Sequence, residues 1–290
     1  MYHNNSLRLI KLLKNMKTIK FKIITLSIIL AGLCVTFTSC NEDETQIVTT
    51  KFNLVMEDNF DVDGAPNPAN WTFDIGRGSN GWGNNELQYY TDRPENAVVQ
   101  NGYLIITAKQ EAFGGASFTS ARLKSLGKIE QKYGRFEARI KMPQGKGLFP
   151  AFWMLGSNFE EVSWPQCGEI DIMEYLGNKP TEVFGTLHAP VVFAGNSISK
   201  KYTLPNGRFD TDFHVFGVEW SENQINWYVD NVLYSQITRS DVEEKGGEWV
   251  FDNSFFMLLN LAVGGNLPGS PDTNTTFPQR MIVDYVRIYQ

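Results

Sequence analysis

Cysteine is scarce in this chain of 290 residues, which has three: Cys34, Cys40 and Cys167. The first two close an apolar leader, so beyond residue 40 no internal disulfide can form and no cysteine-based zinc site can be assembled. Histidine is equally thin. His3 goes with the leader, and His188 and His214 stand alone, which leaves no spaced cluster for a transition metal. Positive charge is short as well: residues 1–40 hold six basic groups and no acidic one, so residues 41–290 carry 20 basic against 32 acidic groups, a balance of −12. A body that acidic repels phosphate backbones and argues against nucleic acid as a partner. No long 3.6-residue apolar period occurs, which argues against a helical fold.

The leader has its own logic. Residues 8–22 are basic and Ile23–Phe37 is an uncharged apolar stretch, the order of a secretory signal. Its 15 residues fall short of the roughly 20 that a membrane span needs. It ends at Phe37-Thr38-Ser39-Cys40, which resembles the lipobox of bacterial lipoproteins and implies a lipid on Cys40; Leu33 makes Cys34 a poorer match. The acidic run Asn41-Glu42-Asp43-Glu44-Thr45 resembles a surface-export tag of Gram-negative lipoproteins. The expected organisation is a signal peptide over 1–40, a tether over 41–51 and one domain over 52–290. The lipid would be the only contact with a membrane, an outer membrane with the protein facing outward. Periplasmic and secreted locations are the alternatives.

From residue 52 onward the chain reads as short strands. Val98–Lys109, Arg135–Met142, Phe184–His188, His214–Ser221, Gln224–Val229, Phe255–Val263 and Met281–Tyr289 are rich in β-branched or aromatic residues, with Gly, Pro, Asn and Asp between them. Hairpins are expected through Ser221–Gln224 and at Asp230-Asn231. Nothing divides the body, so the expectation is one all-β domain, a β-jelly-roll sandwich of two antiparallel sheets.

One segment carries chemistry. In Glu169-Ile170-Asp171-Ile172-Met173-Glu174 three carboxylates fall within six residues of an apolar run. Alternation points Glu169 and Asp171 to one face of a strand, with Ile170 and Ile172 in the core. The same alternation would bury Glu174, at a high cost, and a β-bulge near Met173 restores it to the shared face. Glu169 and Glu174 then act as positions four apart, about 13 Å along the strand. Each side chain reaches ~4 Å toward the other, which leaves roughly the 5 Å of a retaining glycosidase. Three acids so close cannot all ionise cheaply, so at least one pKa must rise and supply a proton donor.

This segment resembles the active-site signature of glycoside hydrolase family 16, in the bulged form of its laminarinase-like branch. Gly81–Tyr90, Gly147–Leu155 and Leu259–Gly265 are similar to that family too. The resemblance implies a jelly roll with a concave sugar groove. Glu169 would be the nucleophile, Asp171 its assistant and Glu174 the acid/base, in a retaining endo-hydrolase of laminarin-like β-1,3-glucan that works as a monomer and needs no cofactor for chemistry. It also implies that Trp82, Asn84, Glu86, Gln88, Arg93 and Trp164 line the groove, and that His188 lies beside the sugar next to the acid/base. Trp153 is balanced between groove and core. Trp71, Trp220, Trp227 and Trp249 read as core, and Cys167 as a small apolar filler. A structural Ca²⁺ on the convex side would take Asn59, Gly102 and Asp284. Two alternatives remain open: the same chemistry on mixed-linkage glucan, and a non-catalytic glycan-binding lipoprotein on the same scaffold.

Overall fold

β-Branched and aromatic runs separated by turn residues become strands throughout the computed structural model, which describes residues 53–290. The leader, Cys40 and the tether lie outside the described residues. One sheet runs β13 (Ile198–Thr203), β12 (Glu182–His188), β11 (Glu169–Tyr175), β10 (Leu148–Gly156), β17 (Phe255–Val263), β7 (Arg122–Lys124) and β2 (Thr72–Phe73), and β8 (Glu130–Gln131) also pairs with β17. The other runs β16 (Val232–Thr238), β15 (Gln224–Val229), β14 (His214–Ser221), β9 (Gly134–Lys141), β18 (Gln279–Tyr289), β5 (Tyr103–Phe113), β6 (Ala116–Ser120) and β3 (Gln88–Tyr90). Beside it, β1 (Leu54–Asp58) pairs with β18 and β4 (Ala97–Gln100) with β5.

Both sheets turn one apolar face inward. Phe152, Met154, Ile170 and Ile172 of the first sheet share a core with Phe136, Ile140, Val218 and Trp227 of the second. This is the two-layer all-β sandwich expected of the sequence. It departs from expectation in two places. The β3–β6 pair is parallel, so the second sheet is not wholly antiparallel. Val98–Lys109 is not one strand but the hairpin β4–β5, because Asn101 (φ 54°) and Gly102 (φ 77°) take the left-handed conformations of a tight two-residue turn. The hairpins Ser221–Gln224 and Asp230-Asn231 form as read, the latter with φ of 50° and 65°.

Strand β17 is buried along its whole length. Its outward side chains Phe256 and Leu258 pack with Leu155 and Cys167 in a second, smaller cluster on the far side of the sheet. The groove described next opens beside that cluster.

Candidate active site

The register of β11 sets the site. Leu155, Met154 and Trp153 of β10 face Glu169, Ile170 and Asp171 in turn, but the next partner of Phe152 is Met173 and that of Ala151 is Glu174. Ile172 is therefore the extra residue of a bulge, and the pairing with β12 shifts across the same place, between Asp171 and Glu174. Ile172 and Met173 are both buried in the core. Glu174 thus returns to the face of Glu169 and Asp171, and all three line one groove of ≈ 540 Å³.

The bulge is braced from beneath. Trp227 Nε1 donates to the Asp171 carbonyl at 2.8 Å. Its ring fits because β12 has glycine there: a Cβ on Gly185 would lie 2.3 Å from Trp227 Cδ1 and 2.6 Å from the Tyr234 hydroxyl. Trp227 is core, as read, but core with a task.

Burial and mutual charge separate the proton affinities of the site. Asp171, only 4% exposed, has its pKa pushed well above the usual carboxylate range, first by burial and then by the charges of Glu169 and Glu174. Burial also raises Glu174, against the opposing hydrogen bond that Thr186 Oγ1 donates to its Oε2 at 2.6 Å. His188 faces Glu169 across the ladder, and its Nε2 lies 3.2 Å from Asp171 Oδ2 and 3.7 Å from Glu169 Oε1. Burial alone would favour a neutral ring, but Asp171 and then the two glutamates outweigh it, lifting the imidazole to about 9. The ring lies between the Asp171 and Glu169 carboxyl groups, which favour its protonated form. The resemblance placed His188 beside the sugar next to the acid/base; its carboxyl neighbours in the structure are Asp171 and Glu169. Ligand atoms of Glu169, Asp171 and His188 lie within 4.8 Å of one another, the spacing of a metal site. A metal bound there would have to displace the proton that the neighbouring carboxyl groups favour on the imidazole.

Of the expected wall residues, Trp82, Asn84, Glu86, Trp153 and Trp164 line the groove together with His188. Trp164 is 44% exposed and sits edge-on to Phe193. Trp82 stands in a left-handed backbone conformation (φ 58°) that bulky residues rarely adopt, in the loop just before Asn84 and Glu86. Arg93 does not belong to the wall. It is paired with Glu111, donates to Asn96 Oδ1 at 2.9 Å and stacks on Phe113, so its charge is spent away from the groove. Gln88 lies fully buried beneath the wall, where it donates to Glu86 Oε2 at 2.7 Å. Cys167 is buried with its thiol pushed up to about 11 by burial, and is unreactive as read.

Three groove residues escaped the sequence reading. Arg122 lies 4.7 Å from the ring centroids of both Trp82 and Trp153, and its Nε is 3.0 Å from Asp74 Oδ2. Thr186 holds Glu174, and Asn260 holds Trp153. Two had a visible signal: Thr186 is two positions from His188 on one strand face, and Asn260 is the sole polar residue in a strand of nine. Arg122 lies in a three-residue strand with no period to read.

The positions expected to hold calcium gather on the other sheet. Asp58 pairs with Val286 and Leu104 with Val283, so Asn59, just past β1, and Gly102, just before β5, flank Asp284. Asp284 is itself an extra residue in the β18–β9 ladder, and one of its oxygens accepts from Arg139 Nη1 at 2.5 Å. Register brings these three positions together, and the carboxylate among them is already paired with Arg139.

Sugar rings offer C–H faces to aromatic walls, and a glycosidic bond is cut between paired carboxylates. A two-sheet sandwich that carries both in an open groove defines a glycoside hydrolase. The chain belongs to Glycosyl hydrolases family 16, whose sequence profile matches residues 84–287. It is 42% identical over 248 residues to a beta-glucanase of Rhodothermus marinus, covering 82% of this chain and 85% of that protein. The structure matches the laminarinase catalytic domain of Thermotoga maritima with a TM-score of 0.79 and 50% identity, over 83% of this chain and 98% of that one. The endo-beta-1,3-glucanase of Pyrococcus furiosus gives 0.79 and 49%, over 82% and 94%.

Proposed function

We propose that the chain hydrolyses internal β-1,3 links of laminarin-like glucans with retention of configuration. The observation that carries this is the bulge, which sets Glu169 and Glu174 on one groove face with Asp171 between them. Glu169 attacks the anomeric carbon while Glu174, whose pKa burial raises, gives its proton to the leaving glycosidic oxygen. The Glu174 carboxylate so formed then takes a proton from water. That water breaks the glycosyl–Glu169 ester, and both side chains return to their starting states. His188 stands against the nucleophile and links it to Asp171. The three relatives, a beta-glucanase, a laminarinase and an endo-beta-1,3-glucanase, support β-glucan as the substrate class.

Reducing-sugar release from laminarin by residues 41–290 tests the reading, with Glu169→Gln expected to lose activity by orders of magnitude. Retained binding without any release by the unsubstituted protein would leave a glycan-binding scaffold instead. A structural calcium at Asn59, Gly102 and Asp284 belongs to the same proposal and supplies no chemistry. So does a lipid on Cys40 that holds the enzyme on an outer membrane, facing outward. Cys40→Ala should move the protein to the soluble fraction, and an unchanged mass and membrane fraction would refute the anchor.

A further inference from the structure

Strand β17 contains one polar side chain, Asn260, in a run that is otherwise Phe, Met, Leu, Ala and Val. It is 5% exposed, and a polar group in such a place is costly unless both its ends are paired. Both are. Asn260 Oδ1 accepts from Trp153 Nε1 at 2.7 Å, and Asn260 Nδ2 donates to the Tyr90 hydroxyl at 3.2 Å. The Tyr90 hydroxyl donates onward to Glu86 Oε2 at 3.2 Å, which also receives Gln88 Nε2 at 2.7 Å. Gln88 closes the line on β17 by accepting from the Val263 amide at 2.8 Å.

Each link has one direction only. An indole N–H can donate but not accept, so the amide oxygen must face Trp153 and the amide nitrogen must face Tyr90. The tyrosine lone pair is then taken, and its proton is left for the Glu86 carboxylate. Both ends of the line, Trp153 and Glu86, lie on the groove, whereas its middle is buried. Register puts Trp153 opposite Asp171, so the ring that this line fixes stands beside the catalytic strand.

We infer that Asn260 is a positioning residue that aims the Trp153 ring and couples it to Glu86, so that the two sides of this half of the groove hold substrate as one unit. The inference rests on the groove being a glucan site, and it concerns binding rather than the bond-breaking step. It therefore acts on KM and not on kcat.

The test compares Asn260→Asp, Asn260→Leu and Tyr90→Phe in the full chain. Asn260→Asp keeps the shape but turns the donor facing Tyr90 into an acceptor, which breaks the line with least change of packing. Each variant should raise KM for laminarin about tenfold, the equivalent of about 1.4 kcal/mol, with kcat within about twofold. In a Trp153→Phe background, which has no indole N–H, Asn260→Asp should cost little more. The Trp153 indole N–H resonance should shift in Asn260→Asp, and also in Tyr90→Phe, where only the remote link is cut. An unmoved indole resonance with wild-type KM in Asn260→Asp would overturn the inference. If instead the unsubstituted protein cleaves no β-glucan, the proposed function fails, while the indole resonance still reports on the line.

Discussion

At the residue scale the site trades stability for chemistry. A carboxyl whose folded pKa lies above its unfolded value binds more protons when folded, so it weakens the fold above that pKa and ceases to do so as pH falls. Asp171 is such a group. Asp171→Asn should raise Tm at pH 7 by a few degrees, since ~1 kcal/mol moves a domain of this size by about 2–4 °C. The gap should narrow toward pH 4 and close below about pH 3, where the wild-type carboxyl is largely neutral in both states, while kcat falls and the pH–rate profile shifts. Thermal melts at both pH values and a pH–rate profile check the pair; a destabilised variant at pH 7 would contradict the sign. His188 runs the other way: its folded pKa of about 9 lies above the 6.5 of a free imidazole. The stability it contributes is complete below about pH 6.5 and lost as pH rises through about 9. His188→Gln should therefore melt below wild type at pH 6 and match it above pH 9. A deficit that persisted undiminished at high pH would assign the loss to packing alone.

At the element scale, legibility followed period and cost. His214–Ser221, Gln224–Val229 and Phe255–Val263 were readable to the residue because each is bounded by turn residues or a charge. The bulge was readable because a regular strand would have buried Glu174 beside Ile172. Thr72–Phe73, Arg122–Lys124 and Glu130–Gln131 were not, since two or three residues carry no period. Nor was the line from Trp153 through Asn260 to Tyr90, which joins residues up to 170 apart and depends on register between strands. Gly185 belongs to this scale too. Nothing in the sequence marks it, yet a single methyl there meets Trp227 at 2.3 Å. Gly185→Ala should cost about 1–3 kcal/mol by overpacking and draw Trp227 off the Asp171 carbonyl, lowering kcat about tenfold or more. Gly195→Ala is the control, because a Cβ there meets nothing within 4 Å. Equal turnover in the two variants would separate Gly185 from the bulge.

At the scale of the whole molecule the two sheets have different duties. The carboxylates, Trp153 and the bulge belong to the sheet that runs from β13 to β2, and Trp82 and Trp164 stand on loops beside it. The opposite sheet gathers the first and last strands of the described residues, with β1 lying against β18 and Asn59 and Gly102 flanking Asp284. The shared core lies between them, so a cation on Asp284 would act on folding and not on the groove. A ligand that binds only the folded state stabilises it by RT ln(1 + [L]/Kd), about 2.7 kcal/mol at a hundredfold excess over Kd. Millimolar calcium added to chelator-treated protein should accordingly raise Tm by several degrees and leave kcat on laminarin at 25 °C unchanged. Asp284→Asn also loses the ion pair with Arg139, so its lower Tm alone decides nothing. The discriminating quantity is the difference between melts with and without calcium, which should be several degrees in the wild type and absent in Asp284→Asn. An equal calcium response in both would move the cation elsewhere, and no response in either would leave Asp284 as the partner of Arg139 alone.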